Sequence, residues 1–146
     1  MTPAISFTPE AWQSLQRLAE SAYPYEGCGL LLGPLAKDKV VQSIALLRNT
    51  LRDEGRGRFD FAFSSHEFME VQRKAESQAL DVVGIYHSHP DHPPRPSPTD
   101  TAQSMLAGWI HVIAAVHGGR FKDAKAWWRE DDAVPFTETD LRVLTG

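Results

Sequence analysis

The stretch Asp81–Asp100, DVVGIYHSHPDHPPRPSPTD, contains the change of pattern that decides the fold. Its first part, Asp81–His89, is apolar and rich in β-branched residues, which is typical of a buried strand. The prolines that follow end this strand and turn the chain. Ser97–Asp100 then offers a capping residue, a proline and an acidic residue in the order that begins a helix. The stretch therefore predicts a strand, a sharp loop and a helix start in direct succession.

Strand patterns alternate with helix patterns along the rest of the chain. The first predicted helix is capped by Thr8 and ends near Tyr23. The second is capped by Ser64 or Ser65 and runs to about Leu80, and the third runs from Ser97 to about Leu106. The segment 48–57 is expected to be a charged loop. Alternation of this kind predicts an α/β fold with a mixed sheet and helices packed against it. The predicted strands are Gly29–Leu32, Val40–Leu47, a strand through Phe59, Phe61 and Phe63, Asp81–His89, Trp109–His117, Lys122–Glu130 and Ala133–Thr139.

Composition limits the class of protein. The chain has 146 residues, of which 42% are hydrophobic and 23% charged, and its net charge is -4. These values favour one domain over residues 1–146 and argue against a nucleic-acid binder or a polybasic membrane anchor. The single cysteine, Cys28, excludes an internal disulfide and fits a reducing compartment. With no signal-peptide pattern and no apolar run of membrane-spanning length, we expect a soluble cytoplasmic protein.

The loop after the predicted strand carries a candidate metal site. His87 and His89 are two apart in a strand, so their imidazoles project to the same side. Asp100 lies in the first turn of the next predicted helix, near enough to reach the same ion. Two histidines and one carboxylate form a catalytic zinc ligand set, because a fourth position is left for water.

Two further residues are candidates for the chemistry at such a site. Glu26 follows the end of the first helix and precedes a glycine-flanked strand, so its carboxylate can act as a proton carrier in a cleft. Ser97 can present its hydroxyl or amide to an oxyanion. The other histidines and the cysteine are expected to be structural or peripheral residues: His66, His92, His111, His117 and Cys28.

The order and spacing of these residues resemble those of the JAMM (MPN+) metalloprotease family. The family pattern is an upstream Glu, then His-x-His, seven residues, Ser, two residues and Asp. The chain matches it without a gap through Glu26, His87, His89, Ser97 and Asp100. The strand around Glu26, EGCGLLLG, is also similar to the strand that carries the catalytic Glu of that family, and the resemblance covers most of the chain.

The resemblance implies a fold and a set of roles. The fold would be the MPN/JAB domain, a curved mixed sheet flanked by helices with a cytidine-deaminase-like arrangement. By resemblance, His87, His89 and Asp100 would bind Zn²⁺. Glu26 would be the general acid/base for attack by zinc-activated water, and Ser97 would help to stabilise the tetrahedral intermediate.

The resemblance also implies a substrate class. Members hydrolyse peptide or isopeptide bonds at the C-terminal tail of ubiquitin-like proteins, and small bacterial members resemble the peptidase that releases cysteine from a sulfur-carrier protein. We expect the tail to add to a sheet edge as an extra strand. The resemblance does not fix the oligomeric state, and a homodimer remains open.

Three other interpretations remain. The same fold occurs in non-catalytic MPN scaffold subunits, although these lack the ligand set. A JAMM hydrolase that processes a phage or DNA-repair partner is equally compatible with the motif. A metal enzyme of another kind is disfavoured, because a zinc deaminase would need His-x-Glu and Pro-Cys-x-x-Cys, which the chain does not have.

Overall fold

The computed structural model describes residues 3–58, 60–98, 100, 108–131 and 133–145. Within these residues, nine strands, two α-helices and one 3₁₀ helix alternate along the chain. In chain order they are β1 Ile5–Phe7, α1 Pro9–Ala22, β2 Cys28–Gly33, β3 Lys39–Val41, β4 Ser43–Leu47, the 3₁₀ helix Thr50–Glu54, α2 Ser65–Ser77, β5 Asp81–Pro90, β6 His111–His117, β7 Arg120–Trp128, β8 Thr137–Thr139 and β9 Leu141–Val143.

The main sheet has six strands in the order β4-β2-β5-β6-β7-β8. The β5–β6 pair is parallel, and the other neighbours are antiparallel. A second sheet of three short parallel strands has the order β3-β1-β9. The predicted mixed sheet flanked by helices is therefore confirmed. Within the described residues, no helix has the length and apolar character needed to cross a membrane.

Two hydrophobic clusters bury the central strands from opposite faces. One cluster joins α1, through Leu15, to side chains of β5 and β6 such as Tyr86 and Val112. The other joins Ala75 of α2 to side chains such as Ile85 on β5. Since successive side chains of a strand point to opposite faces, β5 contributes to both clusters. Its end, which carries the histidines, is consequently held between two packed layers.

Local capping agrees with the predicted helix starts. The Thr8 hydroxyl accepts a hydrogen bond from the amide of Ala11 at 3.1 Å, and Pro9 occupies the first turn of α1. The Ser64 hydroxyl accepts from the amide of Glu67 at 3.3 Å, so Ser64, the first of the two predicted residues, caps α2. The third predicted helix is described only at Pro98 and Asp100, which are helical, and residues 101–107 lie outside the described part.

The structure corrects several strand predictions. The predicted strand Val40–Leu47 is two strands, because the chain leaves one sheet at Gln42 and enters the other. The predicted strand through the phenylalanines is wrong for Phe61 and Phe63, which lie in an irregular segment, and Phe59 lies outside the described residues. Phe61 is buried there and stacks on His87, while Phe63 stacks on Phe68 of α2. The short outer strands β1 and β9 were not predicted.

Candidate metal centre

Four buried side chains meet at the end of β5. They are Glu26, His87, His89 and Asp100, and one ligand atom from each lies within 4.8 Å of the others. Glu26 and Asp100 are each 2% exposed, and both imidazoles are fully buried. Burying two carboxylates and two imidazoles together is costly unless they are paired or bind a cation. The cluster is thus a candidate metal centre.

The strand and the following loop bring three of these donors together. The Nε2 atoms of His87 and His89 are 2.9 Å apart. Oδ2 of Asp100 lies 3.0 Å from Nε2 of His89 and 3.3 Å from Nε2 of His87. Ligands at roughly 2.0–2.1 Å from a tetrahedral zinc ion are separated by about 3.3 Å, so the three donor atoms fit one ion.

Asp100 is fixed in place by the start of its helix. The Ser97 amide donates to Asp100 Oδ2 at 2.9 Å, and the Asp100 amide donates to the Ser97 hydroxyl at 3.1 Å. This reciprocal pair is a capping box in which the acidic side chain also faces the histidines. The predicted proximity of Asp100 to the two histidines therefore results from local helix capping after the proline-rich loop.

Hydrogen bonds at the outer ring nitrogens orient both imidazoles. Nδ1 of His89 is 2.7 Å from the carbonyl oxygen of Pro93, which can only accept, so Nδ1 carries the hydrogen and the Nε2 lone pair is left for a metal. Nδ1 of His87 is 2.6 Å from Nε2 of His111. With the Nε2 lone pair of His87 facing the cluster, its Nδ1 hydrogen is donated to His111. Outer partners of this kind fix metal-binding imidazoles.

The pKa values of the two carboxylates in the cluster are shifted in opposite directions. Burial raises the pKa of Glu26 to about 9, and the carboxylates of Asp100 and Asp60 add to this rise. Burial also opposes ionisation of Asp100, but the neighbouring His87 and His89 imidazoles and the Ser97 amide outweigh that effect and lower its pKa. Burial lowers the pKa of His87, which keeps its imidazole neutral as a metal ligand must be. A bound cation would favour the ionised form of Glu26.

Aromatic rings pack against both histidines. Phe61 stacks on His87 with ring centroids 4.5 Å apart and an interplanar angle of 25°. His92 stacks on His89 at 4.0 Å, while its own Nδ1 lies 2.8 Å from the carbonyl oxygen of Pro90. His92 thus lies beside the cluster and is not one of its four members.

Three residues that surround the site were missed or were given only a structural role at the sequence level. His111 was expected to be a hydrogen-bonded core residue, and the structure shows that its partner is His87. Phe61 was assigned to a strand. Asn49, which donates to the carbonyl oxygen of Glu26 at 2.9 Å, was assigned to a charged loop. A single sequence gives no signal for these contacts, because each joins segments far apart in the chain.

Cys28 is buried and lies next to the Glu26 segment. Its Sγ lies 3.6 Å from the carbonyl oxygen of Leu47. Burial raises the pKa of the Cys28 thiol to about 12, so the thiol is protonated at neutral pH. A protonated, buried thiol is a poor nucleophile, which agrees with its expected role as a small core residue.

Comparison with known proteins identifies the family. Residues 8–130 match the family described as prokaryotic homologs of the JAB domain. The chain belongs to this family. The prokaryotic JAB chain is also similar to the desampylase of Pyrococcus furiosus, with 35% identity over 107 residues, which are 73% of the chain and 69% of that enzyme. Its similarity to the desampylase of Haloferax volcanii is 28% over 95 residues, or 65% of the chain and 66% of that enzyme.

A solved structure supports the fold. The JAB1/MPN domain protein of Archaeoglobus fulgidus superposes on the prokaryotic JAB chain with a TM-score of 0.61 at 21% identity, and the match covers 98% of the chain and 100% of that structure. The predicted MPN/JAB fold and the resemblance to the JAMM family are therefore confirmed. At the level of the family, the prediction of a JAMM-type hydrolase is confirmed as well.

Proposed function

We propose that the chain is a zinc-dependent JAMM-type peptidase that hydrolyses a peptide or isopeptide bond at the C-terminal tail of a ubiquitin-like protein. The observation that carries the proposal is the buried cluster, in which the donor atoms of His87, His89 and Asp100 lie 2.9–3.3 Å apart, close enough to bind one ion. In this proposal these three residues hold the ion. Zinc supplies Lewis acidity, which polarises a carbonyl group and lowers the pKa of water.

Glu26 is proposed as the proton carrier. Its Oε1 atom is buried, lies 3.9 Å from Nε2 of His87 and has no hydrogen-bond partner among the described residues. A carboxylate oxygen that is close to the proposed ligands and has no hydrogen-bond partner can take a proton from the attacking water. It can then deliver that proton to the leaving amine.

Ser97 is proposed to assist the same reaction. Its amide is already used by Asp100, and its hydroxyl oxygen accepts from the Asp100 amide. The hydroxyl hydrogen is left to donate to the oxygen that becomes negative in the tetrahedral intermediate. This assigns Ser97 two tasks, since it also fixes the proposed ligand Asp100.

The substrate class follows from the relatives. Both curated relatives are named desampylases, enzymes that act on conjugates of a ubiquitin-like protein. We infer that the chain acts on a ubiquitin-like or sulfur-carrier protein, whose extended tail enters the site. The leaving group is then either a single amino acid, such as cysteine on a sulfur carrier, or the lysine side chain of a conjugated protein.

A cleavage assay with two kinds of substrate tests this proposal. Candidate ubiquitin-like proteins are prepared with a C-terminal cysteine adduct or with a lysine isopeptide, and intact mass measures the product. We expect cleavage that a chelator abolishes and added zinc restores. A protein that binds one zinc ion but cleaves none of these substrates would support a non-catalytic scaffold and contradict the proposal.

A further inference from the structure

We propose that Asn49 is a positioning residue that holds Glu26 in place relative to the two histidines. This inference rests on the proposed function, because it assigns Asn49 a task in proton transfer by Glu26. Asn49 lies just after β4, is 4% exposed and caps the 3₁₀ helix that follows. It has no charge and does not touch the metal-ligand atoms, so its effect on the reaction must pass through other residues.

The Asn49 side chain uses its full hydrogen-bonding capacity on backbone groups. Its Nδ2 donates to the carbonyl oxygens of Glu26 at 2.9 Å and Asp60 at 3.1 Å, with a longer contact of 3.4 Å to that of Gly57. Its Oδ1 accepts from the amides of Leu51 at 3.1 Å and Ala62 at 3.3 Å. A buried side-chain amide has two hydrogens and one carbonyl oxygen to offer, and here none is left without a partner.

These hydrogen bonds join Glu26 to a segment that also touches a histidine. The Glu26 amide donates to the carbonyl oxygen of Gly57 at 2.6 Å, so both backbone groups of Glu26 are tied to the Asn49 network. The same network holds Asp60 and Ala62, the two neighbours of Phe61. Phe61 stacks on His87. Asn49 therefore links the backbone of the proposed proton carrier to the ring that packs on a proposed zinc ligand.

One oxygen of the Glu26 carboxylate, Oε1, is not held by a hydrogen bond within the described residues, so its position depends on the backbone that carries it. Proton transfer requires the donor and acceptor atoms to approach within hydrogen-bonding distance. Since a misplacement of about 1 Å can cost roughly 10²-fold in rate, anchoring the backbone of Glu26 is a catalytic requirement as well as a structural one.

The test compares Asn49→Ser with the control Thr50→Val. Thr50 contacts the same segment, because its hydroxyl donates to the carbonyl oxygen of Ala62 at 3.3 Å. Within the described part of the chain, no hydrogen bond joins it to Glu26. Thr50→Val removes that side-chain hydrogen bond and keeps the backbone hydrogen bond from the Thr50 amide to the same oxygen. Thr50→Val therefore measures the effect of loosening the segment around Ala62 while the hydrogen bonds from Asn49 to Glu26 stay in place.

We expect Asn49→Ser to lower kcat about 10²-fold, with KM and zinc affinity changed much less. Hydrogen exchange of the Glu26 amide should become faster in Asn49→Ser and stay slow in Thr50→Val. This readout needs no substrate, so it tests the positioning even if the proposed function fails. Equal loss of kcat in the two variants, or an unchanged exchange rate at Glu26 in Asn49→Ser, would overturn the inference.

A measurement on the wild-type protein covers the case in which Asn49→Ser does not fold. If Asn49 joins these segments, the amides of Glu26, Leu51 and Ala62 open together. They should then show the same free energy of opening and the same denaturant dependence in native-state hydrogen exchange. A Glu26 amide that opens independently of the other two would contradict the proposal.

Discussion

Asp100 and Glu26 are two buried carboxylates of one cluster, and they are held in opposite ways. Asp100 is held by its side chain, which contacts both histidines and accepts a hydrogen bond from the Ser97 amide. Glu26 is held by its backbone, while Oε1 of its side chain has no hydrogen-bond partner among the described residues. Both are 2% exposed, so burial alone does not separate them.

The difference shows how one small site can assign two tasks to the same functional group. A carboxylate whose charge is stabilised by fixed donors remains ionised and suits a ligand, as the lowered pKa of Asp100 indicates. A carboxylate without such donors binds its proton more tightly and suits proton transfer, as the raised pKa of Glu26 indicates. Changing one residue at a time should separate metal binding from turnover.

The largest effect on turnover is expected from removing one of the proposed zinc ligands. His89→Ala should lose bound zinc and lower turnover on the order of 10³-fold or more, because two donors no longer form a catalytic zinc site. Metal analysis of the purified variant measures the occupancy. His66→Ala is the matched control, since His66 is exposed and pairs with Glu70 on α2. Full zinc occupancy in His89→Ala would place the metal elsewhere.

Removing the ionisable group of the proposed proton carrier should separate zinc binding from catalytic turnover. Glu26→Gln keeps the shape of the side chain and all three proposed ligands, so zinc should remain bound. Loss of general acid/base catalysis should reduce kcat by roughly 10²–10⁴-fold. Metal analysis and turnover are measured on the same sample. Retained activity would remove Glu26 from the mechanism, and loss of zinc would make Glu26 a ligand.

The contrast between the two carboxylates also explains which parts of the site were predictable. Asp100 was found because its partners lie nearby in the chain, where strand alternation and helix capping are visible in the order of residues. Glu26 was predicted from its place between the first helix and a glycine-flanked strand, and the family pattern implied the same role. Its support by Asn49 was missed because those contacts bring together residues 26, 49 and 60, which no local pattern connects.

The same reasoning applies to the fold. The amphipathic helix α1 and the apolar strands β2, β5 and β6 carry strong local patterns and were predicted within a few residues. The division between β3 and β4 was missed because it depends on which sheet each half joins. At Gly33, a Cβ atom would lie only 1.8 Å from the Val40 carbonyl oxygen. Position 33, where the chain leaves the main sheet at the end of β2, therefore requires glycine. The contact with Val40 that imposes this requirement is visible only in the folded protein.

The smallest expected effect is on the stability of the metal-free protein as the pH rises. The pKa of Glu26 is about 9 in the folded chain, against an ordinary value of 4.5 that applies when the chain is unfolded. Between these values the folded chain keeps a proton that the unfolded chain releases, so the free energy of unfolding falls as the pH rises from about 4.5 to about 9. Glu26→Gln lacks this proton and should not show this fall.

Thermal unfolding of the two metal-free proteins between pH 5 and pH 9 measures the difference. We expect the free energy of unfolding of wild type, and with it Tm, to fall relative to that of Glu26→Gln over this range. His87 and His111 have lowered pKa values, so they weaken both proteins equally as the pH falls below about 6.5. Zinc should shrink the difference, because a bound cation stabilises the ionised Glu26. Parallel curves for the two metal-free proteins would mean that the Glu26 carboxylate is stabilised as an anion without a metal, as Asp100 is.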